Sequence, residues 1–254
     1  MLLTVDIGNT SVGLGIFNKD KVMHKWRLLN EKKRTIKQYE TGIKKLFKAY
    51  KINESDIEGI ILASVVPSLT SILQQALKFL KKKIIFIGNP DTKLDIKLKP
   101  SIKRRIVGHD ILMNVVAGKN RFKNNFIVID MGTATTFDVV DKKGIYIGSV
   151  IAPGVGLTCK ALTDCCAQLP KFSAKPIKKI INNNTLNCMI AGIYFGYIGL
   201  LKEITKEIQK QHGKMTVCLT GGTSKHFVKK LDFVDTNAPY LTAEGLKLTW
   251  ELNQ

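Results

Sequence analysis

The chain has 254 residues, of which 44% are hydrophobic and 24% are charged, and its formal net charge is +20. Such a length and balance fit one large or two smaller folded domains and exclude a disordered chain. The five cysteines, at positions 159, 165, 166, 188 and 218, show no C-x-x-C spacing, which argues against a disulfide framework or a zinc site.

The positive charge comes almost wholly from lysine, since only five of the 40 basic residues are arginine. A nucleic-acid surface usually gathers its basic residues and favours arginine, whereas these lysines are spread along the chain. Solvated faces are the expected cause, so nucleic acid is not an expected partner. No apolar run reaches the roughly 20 residues of a membrane span, and the first residues lack the basic segment of a secretory signal. A cytoplasmic protein without membrane contact is expected.

The first predicted element is a hairpin over Leu2 to Phe17, in which Asp6 ends an apolar run and Gly8 begins a polar turn. Glycine suits such a turn because it tolerates positive φ. An acid at a strand end can hold a hydrated Mg²⁺, and turn N–H and hydroxyl groups can donate to phosphate oxygens. Taken alone, the pattern fits an ordinary surface hairpin better.

The pattern then alternates between strands and helices. Apolar residues three and four apart indicate helices, and short apolar runs indicate buried strands. The predicted elements are a strand over Val22–Leu28, a helix over Ile36–Tyr50, a strand over Gly59–Val66, a helix over Pro67–Leu80, a strand over Ile84–Ile87, an irregular stretch over Lys93–Val107, and a helix from Gly108 to Asn120.

The same hairpin pattern returns at half the chain length, over Phe126 to Asp141. Asp130, Gly132 and Thr133 repeat the acid, glycine and hydroxyl residue of the first turn, and Asp130 follows Asp6 by 124 residues. A third strand, Ile145–Ile151, follows here as well. An internal duplication at this period predicts two similar domains, over residues 1–118 and 119–254.

The remaining elements complete the second half. They are a turn at Ala152–Gly154, a helix over Leu157–Ala167, a long helix capped by Thr185 and reaching Lys210, a strand over Met215–Leu219 that ends at Gly221-Gly222, a strand near Phe233–Asp235, and a helix over Leu241–Leu252.

Taken together, these motifs resemble the actin-like and sugar-kinase ATPase superfamily, and within it the type III pantothenate kinases. The resemblance covers nearly the whole chain. It rests on DIGNT at 6–10, the G-x-D helix start at 108–110, DMGTATTFDVV at 130–140, IAPG at 151–154, LTGG at 219–222 and LTAEGL at 241–246.

The resemblance implies an α/β fold of two ribonuclease H-like domains, with mixed sheets flanked by helices and the active site in the cleft between them. It implies ATP-dependent phosphorylation of pantothenate to 4′-phosphopantothenate, the first step of coenzyme A synthesis, in a homodimer. Cofactors would be Mg²⁺ with ATP and a monovalent cation, K⁺ or ammonium.

The resemblance also assigns residues. ATP phosphates would be held by the first turn and by one residue of the second: Asp6, Ile7, Gly8, Asn9, Thr10, Ser11, Val12, Gly13 and Thr133. Asp6 would lie near Mg²⁺, and Asp130 would bind the monovalent cation. Pantothenate would meet Gly108, His109, Asp110, Ile111 and Thr185, with Asp110 as the base. Without that context, the helix dipole alone would explain Asp110.

Two alternatives to an active pantothenate kinase stay open. Members usually have arginine where this chain has Ile111, and a second glycine where it has Ser149. One alternative to an active pantothenate kinase is therefore a catalytically weakened regulator that binds nucleic acid or protein. Another is a kinase of the same superfamily that acts on a different acid or sugar.

Overall fold

The computed structural model describes residues 1–30, 34–166 and 168–254. They divide into two compact units, described separately below. Unit 1 comprises Met1–Asp95, Lys103–Ala117 and Thr242–Gln254, and unit 2 comprises Ile96–Ile102 and Gly118–Leu241. This division differs from a single break after residue 118, because the last helix packs into unit 1 and a short strand from the first half pairs in unit 2.

In chain order the elements are β1 (Leu2–Ile7), β2 (Ser11–Asn18), β3 (Lys21–Leu29), α1 (Ile36–Ala49), β4 (Gly59–Ser64), α2 (Pro67–Ala76), β5 (Ile84–Phe86), β6 (Lys97–Leu98), α3 (His109–Arg121), β7 (Phe126–Met131), β8 (Ala134–Val140), β9 (Ile145–Pro153), α4 (Val155–Cys165), α5 (Thr185–His212), β10 (Thr216–Thr220), β11 (Thr236–Asn237) and α6 (Leu241–Leu252). Short 3-10 turns cover Glu54–Asp56, Lys78–Leu80, Arg104–Ile106, Ser224–His226 and Val228–Lys230.

Unit 1 contains a five-stranded sheet in the order β3-β2-β1-β4-β5. β1 is antiparallel to β2, and β4 and β5 are parallel to β1. All six residues of β4 are buried, as expected of an interior parallel strand. On α1, Tyr39, Ile43 and Phe47 recur every four residues and form the buried stripe of an amphipathic helix. Burying an apolar side chain of this kind stabilises the folded state by about 1.5–3 kcal/mol relative to leaving it exposed.

Unit 2 repeats this topology, with β9-β8-β7-β10-β11 in the places of β3-β2-β1-β4-β5. The pairing senses are also the same, because β7 is antiparallel to β8 and parallel to β10. The one additional strand is β6, which lies parallel beside β9. The predicted α/β architecture of two similar units is confirmed, and the repeat extends from a short motif to a complete strand order.

Several sequence predictions need correction. The cap of α5 is Asn184, whose side-chain oxygen accepts the N–H of Asn187, and Thr185 is the first helical residue. No strand covers the described residues Phe233–Asp235; the strand here is β11, where the chain pairs with β10. The irregular Lys93–Val107 segment contains β6. The predicted end of the fourth helix, Ala167, lies outside the described residues.

Within the described part of the chain, α5 is the one helix long and apolar enough to cross a membrane by length and composition. Eight of its residues are instead buried within the protein: Met189, Ile190, Ala191, Tyr194, Tyr197, Leu201, Thr205 and Ile208. A helix in the core of a globular unit passes the same test, so its length and composition are weak evidence for a membrane span.

Helices α3 and α6 approach closely within unit 1. A Cβ added at Gly245 would overlap the backbone carbonyl of Met113, and Thr242 Oγ1 donates to Asn114 Oδ1 at 2.8 Å. Position 245 therefore requires glycine because there is no space for a side chain. Its backbone conformation is not the reason, since its φ is not positive.

We expect Gly245→Ala to lower the free energy of unfolding by about 1–3 kcal/mol, the usual cost of overpacking a core. The matched control is Gly42→Ala in α1, where an added Cβ meets nothing within 4 Å. The control should be neutral or stabilising by up to about 1 kcal/mol, because alanine is the better helix former. Urea unfolding of the two variants checks the contrast, and equal stabilities would contradict the packing argument.

Candidate functional site

The first hairpin places Asp6 directly opposite Gly13, at the point where β1 ends. Its turn is closed by the Gly8 N–H, which donates to Ser11 O at 3.1 Å. A Cβ added at Gly13 would lie 3.9 Å from Asp6 Oδ2, so the carboxylate stands over this glycine. Neither glycine has positive φ, so tolerance of positive φ is not the reason for glycine at these positions. Their contribution is open backbone beside the acid.

The second hairpin has the same construction but a turn one residue shorter. The Gly132 N–H donates to Ala134 O at 3.1 Å, and Asp130 lies opposite Thr136. The carbonyl of Thr133 accepts the Gly154 N–H at 3.0 Å, as the carbonyl of Thr10 accepts the N–H of Asn30 at 2.9 Å. Thr133 therefore corresponds to Thr10. The offset of 124 residues between the two acids would instead match Thr133 to Asn9.

The Gly-Gly turn after β10 packs directly on the second acid. A Cβ added at Gly221 would lie 2.5 Å from Asp130 Oδ1, and Gly221 has φ +94°, which disfavours other residues. Thr223 fixes this turn, because its hydroxyl donates to Met131 O at 2.8 Å. The carboxylate of Asp130 is thus packed against the backbone of Gly221 within unit 2.

In unit 1, the end of β4 connects the first hairpin to the start of α3. The Val65 N–H donates to Ile7 O at 3.0 Å, and the Ser64 N–H donates to His109 Nδ1 at 3.4 Å. β1 and β4 are parallel, with Ile7 beside Ser64, so both end at the same edge of the sheet. The predicted phosphate turn and the predicted base are therefore brought to one edge of unit 1.

Asp110 lies in the first turn of α3, folded back over Gly108. A Cβ added at Gly108 would lie 2.5 Å from Asp110 Oδ1, so a larger residue at 108 would displace the carboxylate. The same oxygen accepts the Ile111 N–H at 2.9 Å. Burial raises the pKa of the Asp110 carboxyl above its ordinary value, although the N–H of Ile111 opposes this. A carboxylate with a raised pKa is a stronger base.

His109 is held as a neutral ring. Its Nδ1 accepts the Ser64 N–H, which leaves the proton on Nε2, and its edge meets Phe86 with ring centroids 5.5 Å apart. Burial lowers the pKa of His109. This neighbour of Asp110 can donate a hydrogen bond without adding a charge.

Ile111 points its side chain into the core, where it is 9% exposed, so only its backbone N–H takes part in the site. The nearby cation is Arg104, whose guanidinium donates to the carbonyls of Ile87 and Thr92 at 2.8 Å. The remaining candidate, Thr185, is exposed at the first residue of α5 in unit 2.

Two residues that hold the turns were not identified from the sequence. Asn30 donates to the first turn from the end of β3, and Gly154 does so for the second turn from its backbone. Both stand 124 residues apart, as Asp6 and Asp130 do. Extending the repeat beyond the hairpins would have found this pair.

Comparisons with known proteins agree on one family. The family model described as type III pantothenate kinase matches residues 2–207. A type III pantothenate kinase of Geobacter sulfurreducens is 35% identical over 256 residues, with all of both chains covered. One of Dehalococcoides mccartyi is 35% identical over 254 residues, covering 100% of this chain and 98% of that protein.

Similar solved structures support the fold alone, because their sequences are remote. The inorganic polyphosphate/ATP-glucomannokinase of an Arthrobacter strain has a TM-score of 0.50 at 14% identity, covering 99% of this chain and 98% of that one. The activator of 2-hydroxyisocaproyl-CoA dehydratase from Clostridium difficile, solved with ADPNP, has a TM-score of 0.54 at 9% identity, covering 99% and 96%.

The raised pKa of Asp110 gives a stability prediction. Because the folded state holds this proton more tightly than the unfolded state, the carboxylate destabilises the fold increasingly as the pH rises through the raised pKa. Asp110→Asn keeps the oxygen that accepts the Ile111 N–H and removes the buried charge. Its Tm should exceed that of the wild type at pH 8.

The Tm difference should shrink as the pH falls towards the ordinary carboxyl pKa of about 4. Thermal unfolding followed by circular dichroism across this range measures it. The exposed Asp91 offers a matched control, and Asp91→Asn should leave Tm unchanged. If Asp110→Asn is no more stable than wild type at pH 8, burial of the charged carboxylate does not destabilise the fold.

Proposed function

This chain belongs to the type III pantothenate kinase family, and from that premise we propose which of its residues perform the reaction. The family's activity is phosphorylation of pantothenate by ATP, which produces 4′-phosphopantothenate for coenzyme A synthesis. The full-length relatives favour this activity over the regulatory alternative. The observation that carries the residue assignments is the meeting of the Asp6 turn and Asp110 at one edge of unit 1.

ATP phosphates are assigned to the two hairpin turns. In the first, residues Asp6 to Gly13 offer backbone N–H groups and the hydroxyls of Thr10 and Ser11, and in the second Thr133 adds a hydroxyl. Phosphoryl transfer through a loose transition state asks mainly for alignment and for neutralisation of charge. Turns that present donors without bulky side chains meet the first need.

Mg²⁺ with ATP is assigned to Asp6. Among the described residues, no group of three or more His, Cys, Asp or Glu side chains could hold a metal ion unaided. A single carboxylate beside a phosphate turn fits Mg²⁺, which keeps several waters and binds through one or two carboxylates and phosphate oxygens. The ion would neutralise charge on the transferring phosphate.

The monovalent cation, K⁺ or ammonium, is assigned to Asp130. The backbone of Gly221 packs closely on this carboxylate, because a Cβ added there would lie 2.5 Å from Asp130 Oδ1. A carboxylate oxygen is a suitable ligand for a hard cation. A positive charge near the second turn would stabilise the negative charge that develops on the leaving phosphates.

Asp110 is the proposed general base. Its carboxylate accepts the proton of the pantothenate hydroxyl as that oxygen attacks the terminal phosphorus of ATP. The burial that raises its pKa makes the carboxylate better suited to accept the proton near neutral pH. Gly108 and the Ile111 N–H fix the position of the carboxylate.

Pantothenate is assigned to residues 108–111 and to Thr185. His109 can donate from Nε2 to an oxygen of the substrate, because its Nδ1 is already occupied by Ser64. The buried side chain of Ile111 supplies no charge for the substrate's carboxylate, so Ile111 contributes only through its N–H, which holds the carboxylate of Asp110.

A homodimer through α5 is also proposed, in the cytoplasm. Gly192, Gly196 and Gly199 lie on the exposed side of this helix, and Cβ atoms added there would meet nothing within 4 Å. The spacings of four and three put them on one face, where a second copy could approach closely. The burial of the opposite face in unit 2 fits a soluble location.

The central experiment follows ADP release in mixtures of ATP, Mg²⁺ and K⁺ or ammonium, with and without pantothenate. ADP release that depends on pantothenate is expected. Omitting either pantothenate or the monovalent cation should abolish this release. ADP formation only with another acid or sugar in a substrate panel would contradict the assignment of the acceptor.

Asp110→Asn should lower turnover by about 100- to 10,000-fold, the usual contribution of a general base. Gly108→Ala should lower it about 100-fold, because the methyl group displaces the carboxylate. Both variants should bind ATP nearly as well as wild type in calorimetry, and Gly42→Ala should match wild type in both measurements. Full activity in Asp110→Asn would exclude it as the base.

Gly196→Leu should convert the dimer to a monomer, because the side chain separates the helices. The control is Gly42→Leu, which adds the same bulk to α1. Light scattering after size-exclusion chromatography gives the mass of each variant. A Gly196→Leu protein that remains dimeric would place the interface elsewhere.

A further inference from the structure

Asn30, the residue after β3, makes a contact that the mechanism above does not use. Its Nδ2 lies 2.6 Å from the carbonyl oxygen of Gly8 and 3.4 Å from that of Asn9. Its backbone N–H donates to the carbonyl of Thr10 at 2.9 Å. One residue thus binds three consecutive carbonyl groups of the first turn.

This capture determines where the N–H groups of the turn point. A trans peptide is planar, with its C=O and the following N–H on opposite sides. When the carbonyls of Gly8, Asn9 and Thr10 face Asn30, the N–H groups of Asn9, Thr10 and Ser11 face the other side. Successive N–H groups on one side form a concave site for an anion.

Tyr39 orients the Asn30 amide. Its hydroxyl donates to Asn30 Oδ1 at 3.3 Å, so the oxygen end faces α1 and the NH₂ end faces the turn. The Tyr39 side chain is fully buried, which fixes the hydroxyl in place. The guanidinium of Arg34 covers its ring at 5.2 Å from the centroid.

The second hairpin has no such side chain. The residue at the equivalent place is Gly154, which donates only its backbone N–H to Thr133. Any side chain there would overlap the Thr133 carbonyl, because a Cβ added at Gly154 has no room. The contact is therefore specific to the longer first turn.

We infer that Asn30, oriented by Tyr39, is a positioning residue that holds the first turn with its N–H groups facing the ATP phosphates. The inference rests on the proposed function in one respect, namely that this turn binds ATP. Asn30 acts through the turn and contacts no substrate. Its effect should therefore appear in the binding of phosphate groups and not in the chemistry of the acceptor.

The test compares wild type with Asn30→Ala, Tyr39→Phe and the double variant, titrated calorimetrically with ATP plus Mg²⁺ and with adenosine. The control is Asn18→Ala, which removes an exposed asparagine at the other end of the same sheet. Asn30→Ala should weaken ATP binding about tenfold, as expected when the two side-chain hydrogen bonds to the turn are lost and the backbone one is kept. Adenosine affinity and the KM for pantothenate should stay unchanged.

Tyr39→Phe should weaken ATP binding about threefold, because the amide loses its orientation but keeps its donors. The double variant should match Asn30→Ala, since Tyr39 acts through Asn30. This pattern separates positioning from general damage to the fold, which would weaken adenosine and ATP alike. Asn18→Ala should bind both ligands like wild type.

Two results would overturn the inference while leaving the proposed function intact: unchanged ATP affinity in Asn30→Ala, or equal losses for ATP and adenosine. If wild type binds ATP but releases no pantothenate-dependent ADP, the proposed function fails, and the Asn30 comparison still decides the inference. A wild type that binds no ATP would overturn both.

Discussion

The hydrogen bond from the Val65 N–H to Ile7 O is the constraint on which the candidate site of unit 1 depends. It closes the end of the parallel pair formed by β1 and β4. At this end the chain passes from β1 into the first turn and from β4 towards α2. The next residue back, Ser64, binds His109 and so fixes the start of α3. Two segments about 100 residues apart in sequence are thereby held at one sheet edge, where their polar groups can act together.

The carboxylate at this edge shows how local strain and chemistry are connected. The protein removes the Asp110 carboxylate from water, and this burial raises its pKa above the ordinary value. Gly108 permits that burial by having no side chain where the carboxyl oxygen lies. The cost in stability and the gain in basicity have one cause, which is a common relation at enzyme active sites.

The internal repeat explains the symmetry of the fold, and its exceptions explain the differences between the units. The order and pairing sense of the five shared strands are the same in both. The first turn is one residue longer and is held by the side chain of Asn30, whereas the second is closed tightly on Gly154. Only the second acid is covered by a Gly-Gly turn, at Gly221. The same hairpin thus has a longer turn held by Asn30 in unit 1 and a shorter turn with Gly221 packed on its acid in unit 2.

The sequence by itself determined what depends on neighbouring residues. Strand and helix periodicity, the two acid-tipped hairpins and the helix start over Gly108–Asp110 are local patterns, and the structure has both hairpins and a helix from His109. Only the tertiary structure decided the pairing of Thr133 with Thr10, the burial of Ile111, the capture of the first turn by Asn30 and the place of α6 in unit 1. Each of these depends on contacts between residues remote in the sequence, or on a one-residue difference in turn length. Periodicity carries no information about either.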